Sequence, residues 1–337
     1  MQRSLSNALA AVMALASLLC APGLASAQTT YKLTLVDANE NTNATGINDE
    51  GDLALTINNN GSVGTYVWRR GKETNIGGLT PTPAFVESGG VNDLVDVVGS
   101  TISPTSGNFC AFSWQHGHMS ELASPAGAQV VFGIGVSLLG QVTGVSYDEN
   151  FNAQVVVWNQ GKPTLLPSLP GDTFSQPVAI NVAGVIVGFA DDASNVSNTV
   201  LWKHGTPTLI VPNSAPGGLN DVGQVVGTTR TNPSLPFLWK NGVTTTLPAL
   251  PGLLPYGSAE AINDFGQIVG VSSGYPVVWW NGTVLNLNDQ IVNSDPLKPY
   301  VHLQNATLIN NRGQIVATGT DSRSSSLQQT YLLTPSH

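Results

Sequence analysis

The sequence predicts an all-β fold, a seven-bladed β-propeller in a single domain, and three observations carry that prediction. A motif of the form Ile-Asn-Asp-x-Gly-Gln-Ile-Val-Gly, clearest in Ala261–Leu287, recurs at a spacing of about 44 residues. Each of the first six copies is followed by an apolar run ending in Trp, two further residues and Gly. The last repeat lacks a final strand, while a spare strand stands ahead of the first.

The landmarks are regular. The motif Asn is Asn48, Asn92, Asn181, Asn220, Asn263 and Asn310, with Ser137 in the remaining place. Three residues on stands Gly51, Gly140, Gly184, Gly223, Gly266 or Gly313, and only the second repeat departs, with Val95. Trp68, Trp114, Trp158, Trp202, Trp239 and Trp279 occupy the later position, which takes six of the seven tryptophans in the chain. Each repeat reads as four strands. In the sixth, Ala259–Ile262 forms the first strand and Asn263–Gly266 a tight turn. Gln267–Ser272, Pro276–Trp280 and Thr283–Leu287 follow as the other three. Asn281-Gly282 and Asn241-Gly242, between apolar runs, are hairpin turns, because both residue types tolerate positive φ. No stretch has the 3.6-residue apolar period of a helix, so almost no helix is expected.

Four strands per repeat are the pattern of propeller blades. An open stack of strands is the competing architecture, and the ends of the chain decide between them. The seventh repeat supplies strands near Asn305–Ile309, Gln314–Gly319 and Thr330–Leu333 and then stops. Tyr31–Val36, an alternating strand before the first repeat, is expected to complete that last blade. Docked there, it closes the ring and removes the sheet edges that invite aggregation.

The ends and the composition set the address. Residues 1–27 read as a signal peptide: Arg3, the apolar run Ala8–Leu19, and the small-x-small site Ala25-Ser26-Ala27. Cleavage near Ala27 leaves a mature domain of residues 28–337, secreted to the periplasm or the medium. Cys20 would be lipidated only behind a small residue, and Leu19 stands there. Cys110 is then the sole cysteine, so stability must come from the core without a disulfide. A formal net charge of −9 disfavours nucleic acid and anionic membranes, and no membrane insertion is expected.

The pattern Ile-Asn-x-x-Gly-Gln-Ile-Val-Gly followed by Leu-Trp-x-x-Gly resembles the HAF-repeat family of bacterial extracellular proteins. The similarity runs from about Gly46 to Pro335 and is strongest in Leu219–Gly242, in Ala261–Gly282 and in the closing Tyr331–Pro335. The triplet that names the family survives only as Ala111-Phe112; at its His position stand Gly64, Cys110, Gln154, Asn198, Leu235, Tyr275 and Gln329. The resemblance implies export and a repetitive β fold, and no chemistry.

Candidate site residues are few. The repeated Trp, flanked by Val or Leu in a strand, suits packing between blades better than a ladder of sugar platforms. Trp280 alternates with Trp279 and faces the other way, which makes it the aromatic to watch for ligand contact. His116-Gly117-His118 has two imidazoles and no third ligand for zinc. Asn48–Asp52 resembles a calcium loop without its distal Glu. Tyr147–Asn150 and Asp191-Asp192 lie in variable connections as solvated tips or ligand contacts. Cys110 reads as a buried inert thiol. No Gly-x-Ser-x-Gly elbow or other catalytic set is recognisable. Catalytic, metal and cofactor residues are therefore expected to be none, and the ligand-binding residues are left open.

The function expected is a secreted, non-catalytic binding or scaffold propeller, acting as a monomer on a glycan or envelope protein. Contacts would fall on the connections after the second strands, Thr101–Asn108, Ser146–Ala153, Ala190–Asn198 and Thr229–Ser234, and on the loops entering each blade. The alternative is a propeller enzyme, a hydrolase or lyase of extracellular polysaccharide.

Overall fold

The computed structural model describes residues 29–38, 41–59, 61–81, 83, 85–324 and 328–336. The signal-peptide reading of residues 1–27, and Gln28 after it, lie outside the described residues.

Among the described residues, twenty-eight strands and one 3-10 turn, Leu287–Gln290, make up the regular structure. The strands form five sheets of four and one of eight. The eight-stranded sheet is two four-stranded units, Val130–Leu165 and Phe174–Val211, joined by a single parallel bridge between Ala153 and Phe174. Every pairing inside a unit is antiparallel, as short connections between successive strands demand. Of the expected strands of the sixth unit, the first extends to Gly257–Ile262 and the third to Tyr275–Trp280. The fourth stops at Asn286, where the 3-10 turn begins, capped by the Asn286 side chain bonding the Asn288 N–H.

The turn chemistry follows the motif. The Asn side-chain oxygen accepts the N–H groups of residues two and four places on, as at Asn263 with Phe265 (3.2 Å) and Gln267 (3.0 Å). The Gly closing the turn sits at positive φ, as Gly266 does at 77°. Val95 adopts φ 64° in the same turn. That conformation is strained for a β-branched residue, and Val95 packs half-buried against the apolar cluster that contains Val97 and Phe112. Between first and second strands the register shifts by one in every unit, for example between Ala259 and Ala261. Such a bulge bends the strand locally.

The N-terminal strand Thr30–Asp37 pairs antiparallel with Gln328–Ser336, in a sheet completed by Val301–Ile309 and Ile315–Asp321. Tyr31 and Leu33 are buried among residues of the sixth and seventh units, and Val36 packs with Leu53 and Trp68 of the first. The Leu33 N–H is also held by the Asp295 carboxylate at 2.7 Å. The seventh unit thus takes its fourth strand from the other end of the chain.

Seven apolar clusters hold the units together. Trp68, Trp158, Trp202 and Trp279 are buried in them. Three of these indoles donate to a carbonyl in the link preceding their own unit: Trp158 to Ala123 (2.7 Å), Trp202 to Pro167 (2.8 Å) and Trp279 to Pro248 (2.7 Å). Each therefore buries its rings and satisfies its one polar group in the same contact. Trp114 and Trp239 are only partly buried, so the expectation of core packing holds fully for four of the six.

Candidate functional site

The strand order defines two faces. One carries the Asn-x-x-Gly turns and the Trp-x-x-Gly hairpins. The other carries the variable connections after the second strands and the links between units.

On the turn face the motif asparagines form a chain of bonds from unit to unit. Asn48 Nδ2 donates to the Asn92 carbonyl, Asn92 to Ser137, Asn181 to Asn220, Asn220 to Asn263 and Asn263 to Asn310. Asn310 donates back to the Asn48 carbonyl at 2.8 Å. Ser137, whose side chain is too short to reach on, is the one break. All are buried, so each amide is matched where an unpaired one would cost stability.

A second set of bonds lies just outside. The carboxylates of Asp93, Asp221 and Asp264 and the carboxamide of Asn311 each accept the backbone N–H of the neighbouring unit, from Asp49, Val182, Asp221 and Asp264 respectively. Asp49 in turn accepts from Asn311 at 2.8 Å. These residues surround a central cavity of about 210 Å³. Burial, then the neighbouring carboxylates, raises the Asp221 pKa above the usual aspartate value. Burial raises that of Asp93 in the same way. The ring is a set of turn caps, and among the described residues no three His, Cys, Asp or Glu side chains group as metal ligands. Asp52, the last oxygen of the calcium-like loop, is buried and taken by Arg69 through Nη2 at 2.7 Å and Nε at 2.9 Å. His116, expected beside His118 in a hairpin, sits at φ 51° in that turn, exposed.

On the loop face, a cavity of about 550 Å³ opens between the third and fourth units. Ser146, Asp148, Asn152 and Gln154 line it from the connection Ser146–Ala153 and the strand after it, and Ser168, Asp172 and Thr173 from the link between units. The Asn152 carboxamide donates to Asp148 at 2.8 Å, and the N–H groups of Asn150 and Asn152 do the same. These bonds favour the ionised form and lower the Asp148 pKa. Burial raises that of Asp172, with Asp192 and Asp191 adding to the effect.

Beside this cavity runs a row of six aromatic rings, Phe85, Phe109, Phe132, Tyr147, Phe174 and Phe189, each 5.2 to 6.4 Å from the next. Tyr147 follows the lining residue Ser146, and Phe174 follows Thr173. None of the six is buried. A contiguous aromatic surface of this kind marks a contact site. Only Tyr147 of the row was legible as a candidate. The others belong to three different units, and only Phe85 and Phe174 share a repeat position, seven residues ahead of Asn92 and Asn181, so no sequence period brings the whole row together.

Cys110 is buried and its thiol is pushed up to about 12 by burial, with Glu121 adding to the effect, so it is held protonated and inert. Trp280, by contrast, is half-buried on the turn face and lines a third cavity, of about 440 Å³, with Phe265 and Arg312.

No protein-family model and no curated protein matches the sequence. Solved structures do match. The β-propeller domain of the Trilobed protease from Pyrococcus furiosus, described as having an open velcro topology, aligns over 91% of this chain and 97% of its own, with 6% identity and a TM-score of 0.56. Prolyl endopeptidases align over 90% of this chain and 48% of theirs, with 11% identity and a TM-score of 0.54. A gluconolactonase from Xanthomonas campestris aligns over 95% and 99%, with 13% identity and a TM-score of 0.43. At these identities the likeness speaks for the fold alone, and that fold is the β-propeller.

Proposed function

We propose that this chain is an exported binding module, a seven-bladed propeller closed through its N-terminal strand, whose loop face recognises a glycan. The four-stranded units are its blades. The observation that supports the reading best is the 550 Å³ cavity on the predicted connection Ser146–Ala153, flanked by the aromatic row. The cavity is of the size that takes a small ligand. Carboxylate and carboxamide groups suit sugar hydroxyls, and aromatic rings suit the apolar faces of sugar rings. Export rests on the signal-peptide pattern of residues 1–27 and on the resemblance to HAF-repeat proteins.

The test is a glycan array probed with Gln28–His337, the Tyr147→Ala variant and the Asp148→Asn variant. The expected result is a defined set of hits that weaken at least tenfold in both variants. A blank array, or hits indifferent to both substitutions, rejects the glycan reading and turns attention to a protein partner.

One observation favours the enzyme alternative. Asp148 and Asp172 line the same cavity with pKa values moved in opposite directions. Such a split is how a glycosidase obtains one acid and one base from two carboxyls. Incubation of array hits with the protein, followed by product analysis, separates binder from hydrolase or lyase.

A further inference from the structure

The residue following the repeated Trp is Arg69, Gln115, Asn159, Lys203 or Lys240 in the first five units, and each is exposed. In the sixth it is Trp280. Five units therefore show that the hairpin accepts a long polar side chain there, and folding makes no demand for an indole. Trp280 is nonetheless half-buried, and its indole N–H has no partner among the described residues.

Trp280 forms one wall of the 440 Å³ cavity between the sixth and seventh units. Phe265, at the tip of the adjoining turn and 70% exposed, adds a second ring at the opening. Gln267, Asn281 and Arg312 supply polar groups around the indole. Gln267 spends its oxygen on Asn263 Nδ2 at 2.7 Å, which leaves the amide N–H₂ as the donor available to the cavity. Arg312 bonds Glu50 of the first unit through one terminal nitrogen.

We propose that this cleft is a second carbohydrate site, on the face opposite the loop-face cavity and independent of it. A pyranose ring stacks its C–H face on the Trp280 indole. Its hydroxyls meet the Gln267 and Asn281 carboxamides, the indole N–H and the guanidinium of Arg312. The volume is that of a small-ligand pocket rather than of a protein interface, and its polar groups are neutral amides and a guanidinium, donors that suit hydroxyl oxygens.

The repeat supplies its own control, Trp280→Lys, which installs the residue already found at this place in the fourth and fifth units. The probes are tetrasaccharides of β-1,4-linked glucose and of β-1,4-linked N-acetylglucosamine, titrated against intrinsic tryptophan fluorescence. Wild-type protein is expected to give a saturable change with at least one probe. Trp280→Lys is expected to lose that change and to bind at least tenfold more weakly by calorimetry, with an unaltered melting temperature. Tyr147→Ala is expected to keep the fluorescence response, which separates this cleft from the loop-face site. Binding by Trp280→Lys equal to wild type overturns the proposal. So does the absence of any response to either probe up to about 10 mM, beyond the millimolar end of the useful affinity scale.

Discussion

Trp279 and Trp280 are neighbours in one strand, and they are used in opposite ways. Trp279 is 2% exposed, packs with Val226, Leu247 and Ile268, and donates its N–H to Pro248 of the preceding link. Trp280 points to the other side of the sheet, into an open cleft, with no partner for its N–H among the described residues. The first recurs in six of the seven units and the second occurs once in the chain. In a repeat protein the positions that recur answer to the frame, because every unit must pack against the next. A large apolar residue that departs from the repeat on the surface has no such reason to be there. The same contrast separates the Asn ring of the turn face from the aromatic row of the loop face.

The largest effect that tests this contrast comes from the frame itself. Removing Thr30–Asp37 strips the fourth strand from the last sheet and uncovers the edge Gln328–Ser336. It also withdraws Tyr31 and Leu33 from the core between the sixth and seventh units. Loss of the cooperative unfolding transition and concentration-dependent aggregation in size-exclusion chromatography are expected. A monomeric truncated protein of equal stability would show that the frame does not depend on this closure.

Next in size, Trp279→Ala is expected to lower the unfolding free energy by about 3–5 kcal/mol, as truncation of a buried Trp does. Trp239 holds the same repeat position but is only partly buried and lacks the bond to a preceding carbonyl. Trp239→Ala is therefore expected to cost less, about 1–2 kcal/mol in urea denaturation. Equal costs at the two positions would mean that the repeat sets the energetics and local burial does not.

Much of the frame was legible for a physical reason. Asn-x-x-Gly suits its turn, since the side-chain oxygen caps two N–H groups and the Gly takes φ near 77° in the sixth unit. The strands and turns followed from that spelling, and the pairing of Tyr31–Val36 with the last unit from the strand that unit lacks. The sites were not legible in the same way. The row that runs from Phe85 through Phe109, Phe132, Tyr147 and Phe174 to Phe189 is assembled only through the arrangement of three units. Asp148 and Asp172 share a cavity from a connection and a link whose lengths vary. Trp280 was visible because it alternates with the repeated Trp279 and so faces the other way, and the place it fills is polar in the first five units. Val95, in the Gly place of the second turn, breaks the repeat too, at φ 64° and half-buried against an apolar cluster, so a departure from the repeat is not by itself a mark of function.

The smallest effect concerns charge on the turn face. Asp221 accepts the Val182 N–H at 2.8 Å, and Asn311 accepts the Asp264 N–H at 2.9 Å with a neutral carboxamide in the equivalent place. The bond thus needs an oxygen and not a charge. Because burial, and then Asp264, Asp49 and Asp93, raises the folded-state pKa of Asp221, its neutral form is the one the fold prefers. That preference stabilises the protein below the unfolded aspartate pKa of about 3.9 and is lost as pH rises through the folded value. Asp221→Asn keeps the neutral form at every pH. At pH 7 it is expected to match or exceed wild type by up to about 0.5 kcal/mol, the scale of an exposed substitution, with the difference vanishing near pH 3. Urea midpoints at the two pH values measure it. A variant less stable than wild type at pH 7 would give the carboxylate a partner beyond the Val182 N–H, and the ring would no longer be a set of turn caps alone.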